Sequence, residues 1–154
     1  MLLPKSQNQA QSFLLIVNFF KKNNFCFEVD ENETTISTKF SGDNGNWHTH
    51  IHIDTDMEIL FIISFCPLNA KDSKKLLVAE LLTRINNNLL LGSFKLNFED
   101  GLICFTNTQL LKQSPLNLIN FETLFDTNLN TLDKHIPAIS AVNSGYIEPC
   151  LAAQ

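Results

Sequence analysis

Phe13, Ile16, Val17 and Phe20 recur at helical spacing, and Lys21, Lys22, Asn23 and Asn24 close them as a last turn should, so residues 7 to 23 read as an amphipathic helix. From Phe25 the period drops to two. Phe25/Phe27/Val29, Ile36/Thr38/Phe40, Trp47/Thr49/Ile51/Ile53 and Ile59/Phe61/Ile63/Phe65 recur at every second position and predict four strands. Helical spacing returns over residues 69 to 88 with Leu77, Val78, Leu81, Leu82 and Ile85, opened by Asn69 as a cap with Asp72 three residues on, and stopped by Asn86-Asn87-Asn88. Two further strands flank Asp100-Gly101. A last helix over residues 116 to 136 is expected to end near Pro137, with a polar, loose tail from Asn143. The order is α-ββββ-α-ββ-α, with no Gly-rich phosphate loop and no regular strand–helix alternation. The expected class is therefore α+β, an antiparallel sheet with three helices.

Turn chemistry sets the expected registers. A two-residue type I′ loop at Asn44-Gly45 pairs Asp43 with Asn46, Phe40 with Thr49, Thr38 with Ile51 and Ile36 with Ile53. That places His48, His50 and His52 across from Ser41, Lys39 and Ser37 on the wettable face. A three-residue turn at Asp54-Thr55-Asp56 would then set Leu60 beside His50 and Glu58 beside His52 on that outer face, sending Phe61 and Phe65 to the core. A one-residue slip would reverse this assignment. At Asp100-Gly101 a two-residue loop puts Phe98 opposite Ile103 and Leu96 opposite Phe105, and with Phe94 they form one apolar face.

A length of 154 residues suits one domain spanning 1–154, with an ordered core of about 7–142. Hydrophobic residues at 44% against 18% charged, with thirteen Phe, exclude the disordered class. A net charge of −5 and a single Arg argue against nucleic-acid binding, which needs clustered cations for phosphate. Cys26, Cys66, Cys104 and Cys150 form no C-x-x-C pair and read as reduced and mostly buried in the cytosol. The run FLLIVNFF from Phe13 is far short of the ~20 apolar residues that span a bilayer, and it lacks the flanks of a signal peptide. The terminal CLAAQ is one residue too long for a prenylation box. A cytoplasmic chain with no membrane and no nucleic-acid partner is the expectation.

Candidate chemistry centres on "GNWHTHIHID". Alternate residues of a strand stand about 6.6–6.8 Å apart, so two of the three imidazoles could share a metal but not all three. Glu58 is the best third ligand, giving His50, His52 and Glu58, though Lys39 next door would repel a cation. The closed ligand set that a metal needs is not evident, and His48, His50 and His52 read as a solvated strand face with, at most, a weak pH response. Ser73, Ser93 and Ser114 lack a nucleophile elbow. His135 before Pro137 reads as a cation at a helix end, Glu99-Asp100 as turn chemistry, Cys104 as inert packing and Trp47 as core. No catalytic set, metal or cofactor is expected.

Three stretches carry a resemblance: "FSGDNGNW" (residues 40–47), "LLTRINNNLLLGSFKLNFEDGLICF" (81–105) and "TLDKHIPAISAVNSG" (131–145). Together they resemble the YbjN family, bacterial proteins labelled sensory transduction regulators and similar in fold to type III secretion chaperones. The resemblance implies a compact helix-and-antiparallel-sheet domain, commonly homodimeric, with no catalytic residues or cofactor to carry over. Those chaperones hold partner proteins against an exposed sheet or helix surface. The expected function is a non-catalytic protein-binding module, regulator or chaperone-like adaptor, working as a homodimer on an unidentified protein partner, with Leu60 and Ile62 as its apolar outer positions. The alternative is a metal-binding enzyme or sensor on the His-x-His-x-His strand.

Overall fold

The computed structural model describes residues 7–154. Helix α1 (Gln7–Lys22) leads into strands β1 (Phe27–Asp30), β2 (Thr35–Ser41), β3 (Asn46–Asp54) and β4 (Ile59–Phe65). A 3₁₀ turn (Asp72–Lys74) runs directly into α2 (Lys75–Asn86), and then come β5 (Ser93–Leu96), β6 (Ile103–Leu110), α3 (Leu118–Asn143) and a short α4 (Pro149–Ala152). All strand pairs are antiparallel in one six-stranded sheet of order β1-β2-β3-β4-β6-β5. The class is α+β, as the periodicity predicts.

The helices supply the apolar partners of one sheet face. Ile16 and Phe20 of α1 join Ile36, Ile51, Ile53, Leu60 and Ile62 from the strands and Phe121 and Phe125 from α3. Val78, Leu81, Leu82 and Ile85 of α2 join Phe94, Ile103, Phe105, Leu132, Ile136 and Ile139 in a second cluster. The phenylalanine excess goes largely here: Phe125 meets Phe20 and Phe40 edge-on, each at 5.5 Å between centroids, a geometry the ring quadrupole favours. Burying each such side chain is worth roughly 1.5–3 kcal/mol.

Three hairpins share one construction, which the two- and three-residue loops expected from sequence missed. Asp30 and Asp54 end their strands and Asn97 directly follows one; the side-chain oxygens of the two aspartates each accept two amide N–H groups from the loop beyond, and that of Asn97 accepts one. Four residues later Thr34, Glu58 and Gly101 adopt φ values of 47°, 55° and 75°, the left-handed turn that returns the chain. Four residues join β1 to β2 and β3 to β4, and six join β5 to β6. At β5–β6 this pairs Leu96 with Ile103 and Phe94 with Phe105, a two-residue slip from expectation that keeps both on the core face and moves Phe98 into the loop at 49% exposure. A Cβ at Gly101 would lie 2.3 Å from the Ala70 carbonyl oxygen, so close packing as well as backbone angle calls for glycine.

The β2–β3 loop is held from a distance. Ser41 pairs with Asn46 and Phe40 with Trp47, again a two-residue slip that leaves the faces unchanged. The carboxylate of Asp133 on α3 accepts the backbone N–H of Asp43 (3.0 Å) and of Asn44 (2.9 Å), while the Asn44 amide donates to the Asp133 carbonyl at 3.0 Å. Pro137 explains why that carbonyl is free. Proline lacks the N–H that would bond four residues back, and the Asn44 side chain replaces it, so α3 continues to Asn143 instead of ending near Pro137.

Other expectations are corrected too. Asn69 does not cap α2 but donates to the Asp100 carbonyl, and Asp72 pairs with Lys75 at 2.7 Å. Asn86 closes α2 by offering its amide to the backbone of Phe94 in both directions, docking β5 onto the helix. The segment after Asn143 is not loose: Ile147, Ala152 and Ala153 pack against the second core cluster, and Asn143 itself bonds the backbone of Asn69 and Lys71. Cys26 and Cys150 are exposed and Cys104 is half-buried, so Cys66 alone of the four cysteines is buried.

Candidate functional site: the uncovered sheet face

β4 decides what the open face of the sheet presents. Asp54 pairs with Ile59, Ile53 with Leu60, Ile51 with Ile62 and Thr49 with Ser64, three residues away from the expected register. A shift by an odd number reverses every side chain. Leu60 and Ile62, expected outside, are fully buried, whereas Phe61 and Phe65, expected in the core, stand on the outer face with Ile59 and Ile63. None of these four joins either core cluster. They form an apolar stripe along a central strand that no described helix covers.

The registers place the neighbours of the stripe in rows across the sheet. One row runs Glu28, Ser37, His50, Ile63, Thr106, Ser93, and the next Asp30, Thr35, His52, Phe61, Thr108. Lys39 faces His48, and at the far side Phe65 neighbours Cys104, which neighbours Lys95. The His50 ring meets Phe65 edge-on at 5.2 Å, and His52 stacks beside Phe61 at 6.4 Å while its Nδ1 lies 3.0 Å from the Thr35 hydroxyl. Partial burial, helped by the nearby His48, pushes the His50 pKa below its ordinary 6.5. The histidines face outward, as the alternation predicts, but they border aromatic rings and not a merely wet surface.

Glu58 is not beside His52. It occupies the left-handed position of the β3–β4 turn, its carbonyl accepting the Leu111 N–H at 2.8 Å, and Phe61 holds the place expected for it. Among the described residues no three His, Cys, Asp or Glu side chains gather as a metal-ligand group. His135 lies within α3, not at its end. Its Nδ1 donates to the Thr131 carbonyl at 2.8 Å, its ring meets Phe94 edge-on, and burial pushes its pKa down. Trp47 is core at 5% exposure, and its Nε1 is the one buried side-chain polar atom without a partner among the described residues. Burial raises the Cys66 thiol to about 11, which removes its nucleophilic form at neutral pH. Ser73 sits in the 3₁₀ turn, Ser93 on an edge strand and Ser114 in the β6–α3 connection, so these three hydroxyls share no pocket with His135.

Behind the stripe the same strand carries polar groups inward. The Thr49 hydroxyl bonds Ser64 at 2.7 Å, Ser64 donates to the Asn128 carbonyl oxygen, and the Asn128 amide reaches Asn107 at 2.7 Å and the Ile62 and Phe105 carbonyls at 3.0 and 3.2 Å. Asn107 continues to the Leu124 carbonyl at 3.1 Å. This wired strip fixes α3 on the sheet and leaves only the other face free.

No family model matches the chain, and no curated protein sequence does. Among solved structures, two that are similar to it belong to protein complexes. A chain of the ExsC–ExsE complex aligns at a TM-score of 0.58 with 13% identity, covering 84% of this chain and 93% of its own. A chain of the HopA1–SchA chaperone–effector complex aligns at 0.51 with 15% identity, covering 79% and 93%. At such identity the likeness is one of fold, and it places this α+β architecture with the type III secretion chaperone-like folds. No helix among the described residues is long and apolar enough to cross a membrane.

Proposed function

We propose that this protein is a non-catalytic protein-binding module, a chaperone-like adaptor or regulator of sensory transduction of the YbjN kind, acting as a homodimeric single domain in the cytoplasm. The observation that supports this is the apolar stripe Ile59, Phe61, Ile63 and Phe65 on a sheet face that no described helix covers. Contiguous apolar surface bordered by polar residues marks an interaction site, because covering it releases water from hydrocarbon. A fold shared with a chaperone–effector complex fits that use. Nothing in the arrangement around the three histidines, the serines or His135 supplies a nucleophile with its base.

The experiment is affinity capture of the tagged chain from its native cytosol, beside the double variant Phe61→Asp/Phe65→Asp, with mass spectrometry of what is held. A near-stoichiometric polypeptide, foreign or a second copy, that disappears in the variant supports the reading. A chain that is monomeric and holds no protein in either form overturns it.

A further inference from the structure

The open sheet face is self-complementary under one specific symmetry. Its charged positions are few: Glu28 and Asp30 on β1, Lys39 on β2, Asp54 on β3 beside the three histidines, none on the outward positions of β4 and β6, and Lys95 on β5. Asp30 and Asp54 each accept amide N–H groups within their own turns. Glu28, with Asp30 beside it, thus lies at one edge of the sheet and Lys95 at the other, with the apolar stripe between.

Two sheets packing face to face by a two-fold axis have two simple choices. An axis across the strands lays β1 on β1, Glu28 and Asp30 against their own copies, which like-charge repulsion disfavours. An axis along the strands, between β3 and β4, lays β1 over β5, β2 over β6 and β3 over β4. Acidic edge then meets lysine edge twice, and each histidine strand lies over the partner copy's phenylalanine stripe. We propose that the open face is the homodimer interface, two copies of this chain packed sheet to sheet about an axis parallel to the strands. This rests on the protein-binding reading above and names its occupant.

Area supports the assignment. The strands, at about 4.8 Å spacing and ~3.3 Å per residue, span on the order of 600 Å² in plan. Side-chain relief brings that near the roughly 800 Å² per partner of a standard stable interface. The edge strands are short, four residues each, so the centre of the face and not its edges carries the contact. The groups facing each imidazole within one copy are Lys39 at His48, Ser37 and Ile63 at His50, and Thr35 and Phe61 at His52, with no carboxylate directly opposite any of them.

Sedimentation over a concentration series tests the interface, on the full chain and four variants. Wild type is expected to dimerise, and Phe61→Glu to raise the dimer dissociation constant at least ~30-fold. Glu28→Lys and Lys95→Glu are each expected to weaken the dimer about 3- to 10-fold, and Glu28→Lys/Lys95→Glu together to return it to within about twofold of wild type. That rescue belongs to the along-strand axis alone, and since both residues are exposed it does not depend on a core that Phe61→Glu could disturb. A dimer indifferent to Phe61→Glu, or single charge reversals without rescue, overturns the inference. A monomer that binds a foreign protein through Phe61 overturns it too, while leaving the binding function standing. A monomer that binds nothing overturns both.

Discussion

The two faces of β4 invert the usual arrangement. Inward, between Leu60, Ile62 and the helices, the strand places Ser64 in a chain of hydroxyls and amides. Outward, it places two phenylalanines and two isoleucines. Buried polar groups are tolerable because every one in the chain from Thr49 to Leu124 finds a partner, whereas the outer apolar groups join neither core cluster and Phe61 and Phe65 border the rings of His52 and His50. Residue type alone does not assign a face, and satisfaction does. The inner face spends its polarity on fixing one register, and the outer face keeps its hydrophobicity available for association.

Breaking the inner side should have the largest effect. Asn128→Leu keeps the volume but strands the Ser64 hydroxyl, the Asn107 oxygen and two strand carbonyls, so a loss of about 3 kcal/mol or more is expected in urea unfolding, a melting drop of roughly 6–12 °C. Ser64→Ala should cost about 1–2 kcal/mol, and adding Thr49→Val should cost less than the two changes separately, because the second orphan goes with its partner. On the outer side, Phe61→Ser should change the unfolding free energy of the monomer by no more than about 1 kcal/mol, yet abolish the concentration dependence of melting. Glu58→Gly should gain about 0.5–1 kcal/mol, since φ = 55° strains a residue with a Cβ, and the turn that sets the parity of β4 would tighten.

The smallest effect separates the faces by pH. His135 inside and His50 outside both have lowered pKa values, chiefly through burial, so each favours the folded, neutral-ring state. That contribution is full above the unfolded value of 6.5 and is lost as pH falls through the lowered folded values. Urea midpoints should therefore fall on acidification. His135→Phe should flatten this fall from the inner side and His50→Gln from the outer side, each independently of protein concentration, since both depressions arise within one copy.

Much of the fold was legible because its patterns are locally decisive. The first helix, expected over residues 7 to 23, ends at Lys22, and all six strands appear. Two hairpins slipped by two residues without harm, since the side-chain period is two. At β4 the run ILFIISF is apolar on both faces, so nothing in the pattern set its parity, and the three-residue slip moved the candidate site from Leu60 and Ile62 to Phe61, Ile63 and Phe65. The readable signal was Asp54, an Asx residue ending a strand as Asp30 does, which starts a four-residue loop. Pro137 misled for a different reason. Its unmet carbonyl at Asp133 is served by Asn44, 89 residues away, which no local rule reveals.

The Asp133 clasp and the Asn128 hub both sit on α3, which leaves the ribosome after all six strands. Until it arrives, the β2–β3 tip lacks its anchor, Thr49 and Ser64 face no amide, and the sheet shows hydrocarbon on both sides. Completion of this sheet is therefore a late, long-range event, and a nascent chain stalled before residue 118 would be a sticky ribbon. A protein whose finished form offers a surface for holding polypeptide passes, while it is being made, through a state that itself needs holding.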